Sequence, residues 1–394
     1  MKTSTRCVHL GAGEDPYGAI VPPIYQTATF QQPTASEFGE YDYTRSGNPT
    51  RSLVEGQLAD LEHGAYASAF ASGLAAITAL TRLVKSGEEI VAGNDLYGGT
   101  VRLLERIAAT QNISVHYTDT TDLNAVRRVL NSKTKLVLIE TPTNPLFHIS
   151  DIRRLGPLAK EAGALLAVDN SMLSPVFQRP LTLGADIVIH SATKFLCGHS
   201  DVTAGALITN DRAVYDSIAF HQNAEGAGLS PFEAWLLLRG LKTLALRVER
   251  QNESAGIIAR FLNTKKGVEK VFYPGLKNHP GHEIHRSQAG GNGAVVSFTT
   301  GDANLSVAIA EATKLFKIAV SFGSVGSTIS LPCSMSHASI PAPLKDRLAP
   351  PADLVRLSVG IEDADDLWDD LSHAFEVAHE RSVERKPLVL TQTP

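Results

Sequence analysis

The fold is decided by the stretch Asp186-Ile-Val-Ile-His-Ser-Ala-Thr-Lys-Phe-Leu-Cys-Gly-His-Ser-Asp201. In it, an apolar run leads directly into a polar turn that contains Lys194. A short continuous apolar run is typical of a strand buried on both faces of a parallel sheet. Ligands of such sheets bind beyond the carboxyl ends of the strands, where Lys194 would lie. Desolvation there favours an amine that can form an imine or act as a base. A lone lysine could instead snorkel or form an ion pair, so its neighbours decide between these interpretations.

Three further apolar runs, at residues 89–92, 135–139 and 164–168, precede this stretch. They alternate with segments of helical periodicity, two of which are expected to end at Gly64 and Gly87. This alternation predicts a mostly parallel sheet that is flanked by helices.

The chain is predicted to contain three regions. Residues 1–50 include an irregular stretch with many large apolar side chains, which predicts an arm packed on a neighbouring subunit. Residues 51–228 form the α/β domain, and residues 229–394 form a smaller α+β domain. The latter opens at Ser230-Pro-Phe-Glu233, a pattern that predicts a helix with a capping box. Its predicted strands are residues 294–298, 316–321 and 354–359.

Composition narrows the class of function. The chain has 41 acidic and 36 basic residues, and this balance favours a small-molecule substrate over nucleic acid. Its three cysteines, Cys7, Cys197 and Cys333, are far apart, so they indicate neither a disulfide framework nor a zinc site. The N-terminus lacks an apolar signal core and no apolar run is long enough to span a membrane, so we expect a soluble, cytoplasmic protein. A plastid location would follow if a transit peptide had been removed.

Two polar elements are candidates for binding a phosphate group. Ser191 and Thr193 place two hydroxyl groups within three residues of Lys194. Ala71-Ser-Gly-Leu74 precedes a predicted helix, whose free N–H groups favour an anion. Ser-Gly at a helix start is also an ordinary cap, so the pairing of the two elements is what suggests a phosphate.

Other candidates also follow predicted strands. Asp169 is either a turn former or the acid that keeps the pyridine nitrogen of pyridoxal phosphate protonated. Tyr97 could stack on the pyridine ring, and its hydroxyl could transfer protons. Asn144 also follows a predicted strand. Arg356 lies within an apolar run. It is either half of a buried ion pair or a clamp for a substrate carboxylate.

Together these motifs resemble the Cys/Met-metabolism family of pyridoxal-phosphate enzymes, and the resemblance covers nearly the whole chain. The stretches that carry it are Tyr43-Thr-Arg-Ser-Gly-Asn-Pro-Thr50, Phe70-Ala-Ser-Gly73, Tyr97-Gly-Gly-Thr100, Glu140-Thr-Pro-Thr-Asn-Pro145, Val168-Asp-Asn170, Ser191-Ala-Thr-Lys-Phe195 and Leu354-Val-Arg-Leu-Ser-Val-Gly-Ile361. The resemblance implies the type I, aspartate aminotransferase-like fold with a mostly parallel seven-stranded sheet. It also implies a homotetramer built from dimers with shared active sites.

The resemblance implies specific roles for these residues. Lys194 would hold pyridoxal phosphate as a Schiff base, Asp169 would pair with the pyridine nitrogen, and Tyr97 would stack on the ring and transfer protons. The residues implied to hold the phosphate are Gly73, Leu74, Ser191 and Thr193, joined by Tyr43 and Arg45 of a neighbouring subunit. The residues implied to hold the substrate carboxylate are Asn144, Ser321 and Arg356.

Within the family, residues 222–232 and 320–341 most resemble plant-type cystathionine β-lyases. Many relatives with γ-chemistry have an acidic residue at the position of Gly326, and its absence favours β-elimination. The alternatives are γ-elimination or γ-replacement on the same scaffold, as in cystathionine γ-lyase, cystathionine γ-synthase or methionine γ-lyase. A more remote alternative is a regulator that binds the cofactor or an amino acid without catalysis.

Overall fold

The computed structural model describes residues 1–9, 17–338, 344–345 and 348–384. A short helix, α1 (Thr3–His9), lies at the N-terminus. From residue 17 to the start of the next helix the chain is irregular apart from an isolated antiparallel bridge between Thr29 and Tyr43. Several apolar side chains of this stretch are exposed, including Ile20 and Phe38. This exposure agrees with an arm that packs on another subunit, which stays a prediction.

The central sheet confirms the predicted α/β class. Its strands are β1 (Tyr66–Phe70), β2 (Glu89–Gly93), β3 (Ser114–Thr118), β4 (Thr134–Glu140), β5 (Leu165–Asp169), β6 (Ile187–His190) and β7 (Gly205–Thr209). They lie in the order β1-β7-β6-β5-β4-β2-β3. The pairs from β6 to β3 are parallel, whereas β7 is antiparallel to both of its neighbours.

Helices cover both faces of this sheet. They are α2 (Pro49–Glu62), α3 (Gly73–Thr81), α4 (Gly98–Gln111), α5 (Leu123–Val129), α6 (Ile152–Glu161), α7 (Ser174–Phe177), a 3₁₀ turn (Pro180–Leu183) and α8 (Arg212–Ala224). Leu136 and Leu138 of β4 belong to one buried cluster, and Val137 and Ile139 belong to another. Successive side chains of a strand point to opposite faces, so this double burial explains the continuous apolar runs in the sequence.

The C-terminal part carries a second sheet. Its helices are α9 (Pro231–Leu241), α10 (Leu244–Leu262), α11 (His282–Gln288), α12 (Ala303–Ala312) and α13 (Ala364–Glu384). Its strands are β8 (Lys270–Phe272), β9 (Val295–Thr299), β10 (Lys317–Ile318), β11 (Thr328–Ser330) and β12 (Val355–Ser358), in the order β10-β11-β12-β9-β8. The proposed domain boundaries at residues 50 and 228 stay predictions.

Several local predictions were wrong in detail. The helix expected to end at Gly64 ends at Glu62, with His63 in the left-handed conformation as its C-cap residue, and the helix expected to end at Gly87 ends at Thr81. The strand expected at residues 316–321 is only two residues long. Ser230 is the N-cap residue of α9, but its side chain makes no capping hydrogen bond, so the capping box is not formed.

The topology concentrates the candidate residues at one edge. Strands β2, β4, β5 and β6 are parallel neighbours and therefore end on the same side of the sheet. Glu140, the last residue of β4, is the register partner of Asp169, the last residue of β5. The turn that carries Lys194 follows β6 at the same edge.

We predict that Gly205→Ala destabilises the fold at this edge. A Cβ atom at Gly205 would lie 2.2 Å from the backbone oxygen of Ser72, so one of the two backbones must move. We expect a loss of about 1–3 kcal/mol in the free energy of unfolding and a lower melting temperature. Gly56→Ala is the matched control: it is exposed within α2, has no atom within 4 Å of the new Cβ, and should be neutral or stabilising. Equal stability of the Gly205→Ala variant and the parent protein would contradict the prediction.

Candidate active site

A cavity of about 490 Å³ lies at the carboxyl edge of the central sheet. The predicted site residues that line it are Gly73, Leu74, Tyr97, Asn144, Asp169, Ser191, Thr193, Lys194, Ser321 and Arg356. Tyr43 and Arg45 are the predicted residues that lie outside it. The chain therefore brings ten of its twelve candidates together from separate strands and loops.

Lys194 is held in a tight turn behind β6. Its backbone N–H donates to the carbonyl of Ser191 at 3.1 Å, and its own carbonyl accepts from Gly198 at 2.8 Å. The buried guanidinium of Arg247 donates to the carbonyl of Phe195 at 2.9 Å and fastens the turn to α10. The direction of the Lys194 side chain is thus fixed by backbone contacts on both sides.

The amine of Lys194 is chemically unusual. Its ammonium donates a hydrogen bond to the Ser321 hydroxyl and lies 5.0 Å from the ring centroid of Phe322. Burial, reinforced by the nearby charge of Arg356, lowers the pKa of Lys194 to about 8, although Asp169 opposes this shift. Lys194 can therefore become a neutral amine near physiological pH, as its position after the strand predicted.

Asp169 lies at the floor of the cavity, at the end of β5, and is partly exposed to it. Its carboxylate accepts a hydrogen bond from the backbone N–H of Ser171 at 2.9 Å. Burial raises the pKa of Asp169, while Ser171, His190 and Lys194 act in the opposite direction. No cationic side chain of the described residues lies within 4 Å of this carboxylate. A positively charged group of a ligand would complete its environment.

The two expected phosphate-binding elements are adjacent. Ser72 is the N-cap residue of α3 and accepts from the N–H of Ala75 at 3.0 Å. The N–H groups of Gly73 and Leu74 have no partner within the helix because they belong to its first turn. A Cβ atom at Gly73 would lie 3.1 Å from the Cβ of Ser191, so the glycine lets the two elements approach. The Thr193 hydroxyl is already engaged, since it accepts from the N–H of Ala204 at 2.9 Å.

Arg356 lies on β12, with only 2% of its surface exposed. Its Nη1 donates to the Oδ1 atom of Asn144 at 2.8 Å, and its Nη2 donates to the carbonyl of Ser321 at 2.7 Å. Its Nε has no hydrogen-bond partner among the described residues. Burial lowers the pKa of Arg356 to about 10, partly offset by Glu140 and Tyr97.

No carboxylate within the described ranges lies within 4 Å of Arg356, so the buried ion pair that the sequence left open is not found there. Its neutral partners hold the guanidinium in place without neutralising it. Ser321, which supplies one of them, has a left-handed backbone with φ of 78°, a conformation that often marks functional sites. The arrangement leaves a buried positive charge available for an anionic ligand.

Tyr97 and Arg45 occupy different surroundings. Tyr97 is the N-cap residue of α4, 41% exposed, and its ring meets that of His337 edge to face at 6.4 Å. The Nη1 of Arg45 donates to the backbone oxygen and to Oδ1 of Asn223 at 2.9 and 2.7 Å within the same chain. The Arg45 guanidinium also lies 5.4 Å from the Tyr43 ring centroid. The predicted reach of Tyr43 and Arg45 into a neighbouring subunit stays a prediction.

Several residues in or beside the cavity were missed from the sequence, and three of them bear on its chemistry. Glu140 lines the cavity as a buried carboxyl group and accepts from the backbone N–H of Tyr97 at 3.4 Å. Phe322 contacts both Lys194 and Arg356 with its ring. His337 is buried, and burial lowers its pKa to about 4. The position of Glu140 at a strand end, identical to that of Asp169, was a signal that could have identified it.

Other classes of site receive no support within the described part of the chain. The three cysteines are free thiols, and no group of three or more His, Cys, Asp or Glu side chains there could hold a metal ion. None of the described helices combines the length and the apolar character that a bilayer span requires. The cavity at the carboxyl edge therefore remains the candidate active site.

Comparison with known proteins gives consistent matches over almost the whole chain. The family model described as Cys/Met metabolism PLP-dependent enzyme matches residues 4–376. The chain is 54% identical over 372 residues to the chloroplastic cystathionine beta-lyase of Arabidopsis thaliana, covering 94% of this chain and 80% of that protein. It is 45% identical over 377 residues to the cystathionine gamma-lyase of Bacillus subtilis, covering 95% of this chain and 100% of that protein. The crystal structure of cystathionine gamma synthase from Xanthomonas oryzae pv. oryzae in complex with cystathionine has a TM-score of 0.94 and 40% identity, covering 96% of this chain and 99% of that chain.

We predict that Arg356→Lys impairs substrate binding more than folding. Lysine keeps the charge but cannot bond to Asn144, the Ser321 carbonyl and a ligand carboxylate with one planar fork. A charge-assisted hydrogen bond contributes about 1.5–3 kcal/mol, so kcat/KM should fall about 10- to 100-fold. Steady-state kinetics and the melting temperature should be measured together. A less stable variant with normal kcat/KM would remove Arg356 from the substrate site.

Proposed function

Because this chain belongs to the Cys/Met metabolism PLP-dependent enzyme family, we propose that it cleaves cystathionine by β-elimination to homocysteine, pyruvate and ammonia, with uptake of one water. It is a pyridoxal-phosphate enzyme of the carbon–sulfur lyase type. The observation that carries the choice of reaction is the 54% identity to a plant cystathionine beta-lyase across 94% of this chain. The cavity supports it with a base, a buried cation for a carboxylate and a buried acid in one place.

The residues of the cavity fit pyridoxal phosphate. The glycine at position 73 leaves a cradle that a Cβ would fill, and the amides of Gly73 and Leu74 are available to a phosphate group, together with the Ser191 hydroxyl. Thr193 would join them through a hydroxyl that bonds to Ala204 in this structure. Asp169 is an acid at the floor of the cavity without a cation beside it, and the ring nitrogen of the cofactor would supply one. When bound, the cofactor provides an electron-withdrawing ring that stabilises negative charge at the substrate Cα.

Lys194 and Arg356 act on different groups of the substrate. Arg356, oriented by Asn144 and the Ser321 carbonyl, binds the α-carboxylate through charge-assisted hydrogen bonds. With pyridoxal phosphate bound, Lys194 would hold the cofactor and, once released as a neutral amine, would remove the Cα proton; burial lowers its pKa to about 8. Its contact with Ser321 keeps the amine close to the carboxylate that Arg356 anchors.

The second half of the reaction breaks the bond from Cβ to sulfur. Tyr97, next to the cavity and partly exposed, supplies a proton to the departing homocysteine sulfur, and Lys194 is the alternative donor. The remaining three-carbon fragment takes up water and yields pyruvate and ammonia. No proton has to leave Cβ, which distinguishes this reaction from γ-chemistry.

The γ-acting relatives favour a second candidate, γ-elimination or γ-replacement. The gamma-lyase of Bacillus subtilis and the gamma synthase of Xanthomonas oryzae pv. oryzae share the fold at 45% and 40% identity. A Cβ atom at Gly326 would meet nothing within 4 Å, so a side chain could be accommodated there. The absence of an acidic residue at this position therefore distinguishes this chain from many γ-acting relatives by chemistry and not by lack of space. This difference supports β-elimination.

We further propose that the protein is a homotetramer of dimers whose active sites are shared. The exposed apolar side chains of the arm, such as Ile20 at 93% and Phe38 at 72%, support burial against another subunit. Tyr43 and Arg45 would then complete the phosphate site of the neighbour. We place the protein in the cytoplasm, with the plastid as the alternative suggested by the chloroplastic relative from Arabidopsis thaliana.

The proposed reaction predicts that the purified holoenzyme converts cystathionine to equal amounts of pyruvate and homocysteine. Mass spectrometry of the oxo acid and a thiol assay measure both products. Formation of 2-oxobutyrate with cysteine would contradict β-elimination and establish γ-elimination, whereas the absence of turnover would favour a binding protein. Lys194→Ala is the control that should form neither product, because it lacks the base. Borohydride reduction of the parent enzyme should place the pyridoxyl label on the peptide that contains Lys194.

Shared active sites predict complementation between two inactive variants. In a hybrid of Arg45→Ala and Lys194→Ala subunits, one site combines the intact Lys194 of one subunit with the intact Arg45 of the other. Random mixing makes half of the dimers hybrids with one working site of two, so about one quarter of the parental activity should return. Mass spectrometry must verify the subunit exchange. Verified hybrids without activity would show that the arm serves its own subunit.

A further inference from the structure

Three carboxyl groups crowd one edge of the central sheet, and the proposed reaction uses one of them. Glu140 and Asp169 end the adjacent parallel strands β4 and β5 as register partners, so their backbones are about 4.8 Å apart by the usual strand spacing. Asp95 follows β2, the other neighbour of β4. Glu140 and Asp95 are each 6% exposed. The edge therefore holds more buried acid than a single cofactor cation can neutralise.

The three acids differ in the partners that stabilise a negative charge. Asp169 accepts from the N–H of Ser171 at 2.9 Å. Asp95 accepts from the Thr143 hydroxyl, and the Nδ1 of His148 lies 3.7 Å from its carboxylate. Glu140, by contrast, accepts only weakly from the N–H of Tyr97, at 3.4 Å, and from the backbone of Asn144.

Asp95, Asp169 and Arg356 interact electrostatically with Glu140, and Lys194 lines the same cavity. Neither cation lies within 4 Å of the Glu140 carboxyl within the described residues. Both cations hydrogen-bond to neutral groups of Asn144 and Ser321 instead. Charges of both signs therefore act at this position: Asp169 and Asp95 raise the pKa of Glu140, and Glu140 in turn raises the pKa of Arg356.

Adjacent buried carboxyl groups do not both ionise readily, because the second negative charge is repelled by the first. Burial raises the pKa of Glu140 well above its usual range, and the charges of Asp169 and Asp95 raise it further. For Asp169 the neighbouring charges of His190 and Lys194 act in the opposite direction. The proton shared by this pair therefore belongs on Glu140.

We propose that Glu140 is a positioning residue that remains a neutral carboxylic acid in the working enzyme. It leaves Asp169 as the single anion opposite the cofactor ring and holds the backbone of Tyr97 at the start of α4. Ionised Glu140 would compete with Asp169 for the ring cation and attract the guanidinium of Arg356 away from the substrate. This inference rests on the cofactor of the family and is independent of the choice between β- and γ-elimination.

The protonation state can be measured directly by infrared spectroscopy of the holoenzyme. The difference spectrum between the parent protein and Glu140→Gln at neutral pH should contain the carbonyl band of a protonated acid, shifted in heavy water. Glu55→Gln is the matched control, since Glu55 is a buried acid outside the cavity that accepts from the N–H of Ala69 at 2.8 Å. The band assigned to Glu140 must persist in that variant. Absence of the band from the parent protein would overturn the proposal.

Two further measurements separate positioning from a general structural role. Asp169→Asn should move the midpoint of the Glu140 band to lower pH, because the repulsion that raises the pKa of Glu140 is removed. Glu140→Ala should lower kcat/KM about tenfold through a misplaced Tyr97, and Glu140→Gln should recover most of that loss because its amide is neutral and has nearly the same shape. An unmoved midpoint, or a glutamine variant as impaired as the alanine variant, would contradict the proposal. None of these infrared results depends on which oxo acid the enzyme forms.

Discussion

The two halves of the site depend on one interaction, the pair of hydrogen bonds that the buried guanidinium of Arg356 makes across the cavity. One bond is to Asn144, in the loop that follows β4 of the central sheet. The other is to Ser321, which lies between β10 and β11 of the second sheet. A buried charge without an anion is costly, so these neutral partners must orient it well. The same cost explains why a ligand carboxylate would be stabilised there. Arg356 thus ties two separate loops together, and the proposed carboxylate site depends on their relative position.

This charge also acts on Lys194. Burial and the charge of Arg356 together lower the pKa of Lys194 to about 8. Ser321 links the two cations because its hydroxyl accepts from Lys194 and its carbonyl accepts from Arg356. The left-handed backbone of Ser321 allows one residue to serve both sides. In the proposed mechanism this residue would align the base with the carboxylate anchor.

The sequence predicted the architecture well where burial alone determines the pattern. Lys194, Asp169 and Asn144 were identified because each follows an apolar run, and the parallel register then brings them together. Strands β1, β3 and β7 were not among the apolar runs named from the sequence, and β7 is antiparallel to both of its neighbours. Helix ends were less accurate because a non-glycine residue, His63, can adopt the left-handed conformation. Local pattern therefore predicts which elements exist better than it predicts where they stop.

Pairwise electrostatics could not be predicted from the pattern in the same way. Glu140 was visible in the sequence at a strand end, but its proximity to Asp169 depends on β4 and β5 being neighbours in register. For Arg45 the predicted contact lies outside the single chain. Within one chain Arg45 bonds to Asn223, whereas its predicted phosphate partner would belong to another subunit. The choice between β- and γ-chemistry is subtler still, because both types of relative match nearly the whole chain. γ-Chemistry differs from β-elimination by one proton removal at Cβ. An enzyme that catalyses it must therefore place a base within reach of that proton. Identity between whole chains averages over such a local difference, so the choice of reaction must rest on the few residues that surround the substrate Cβ.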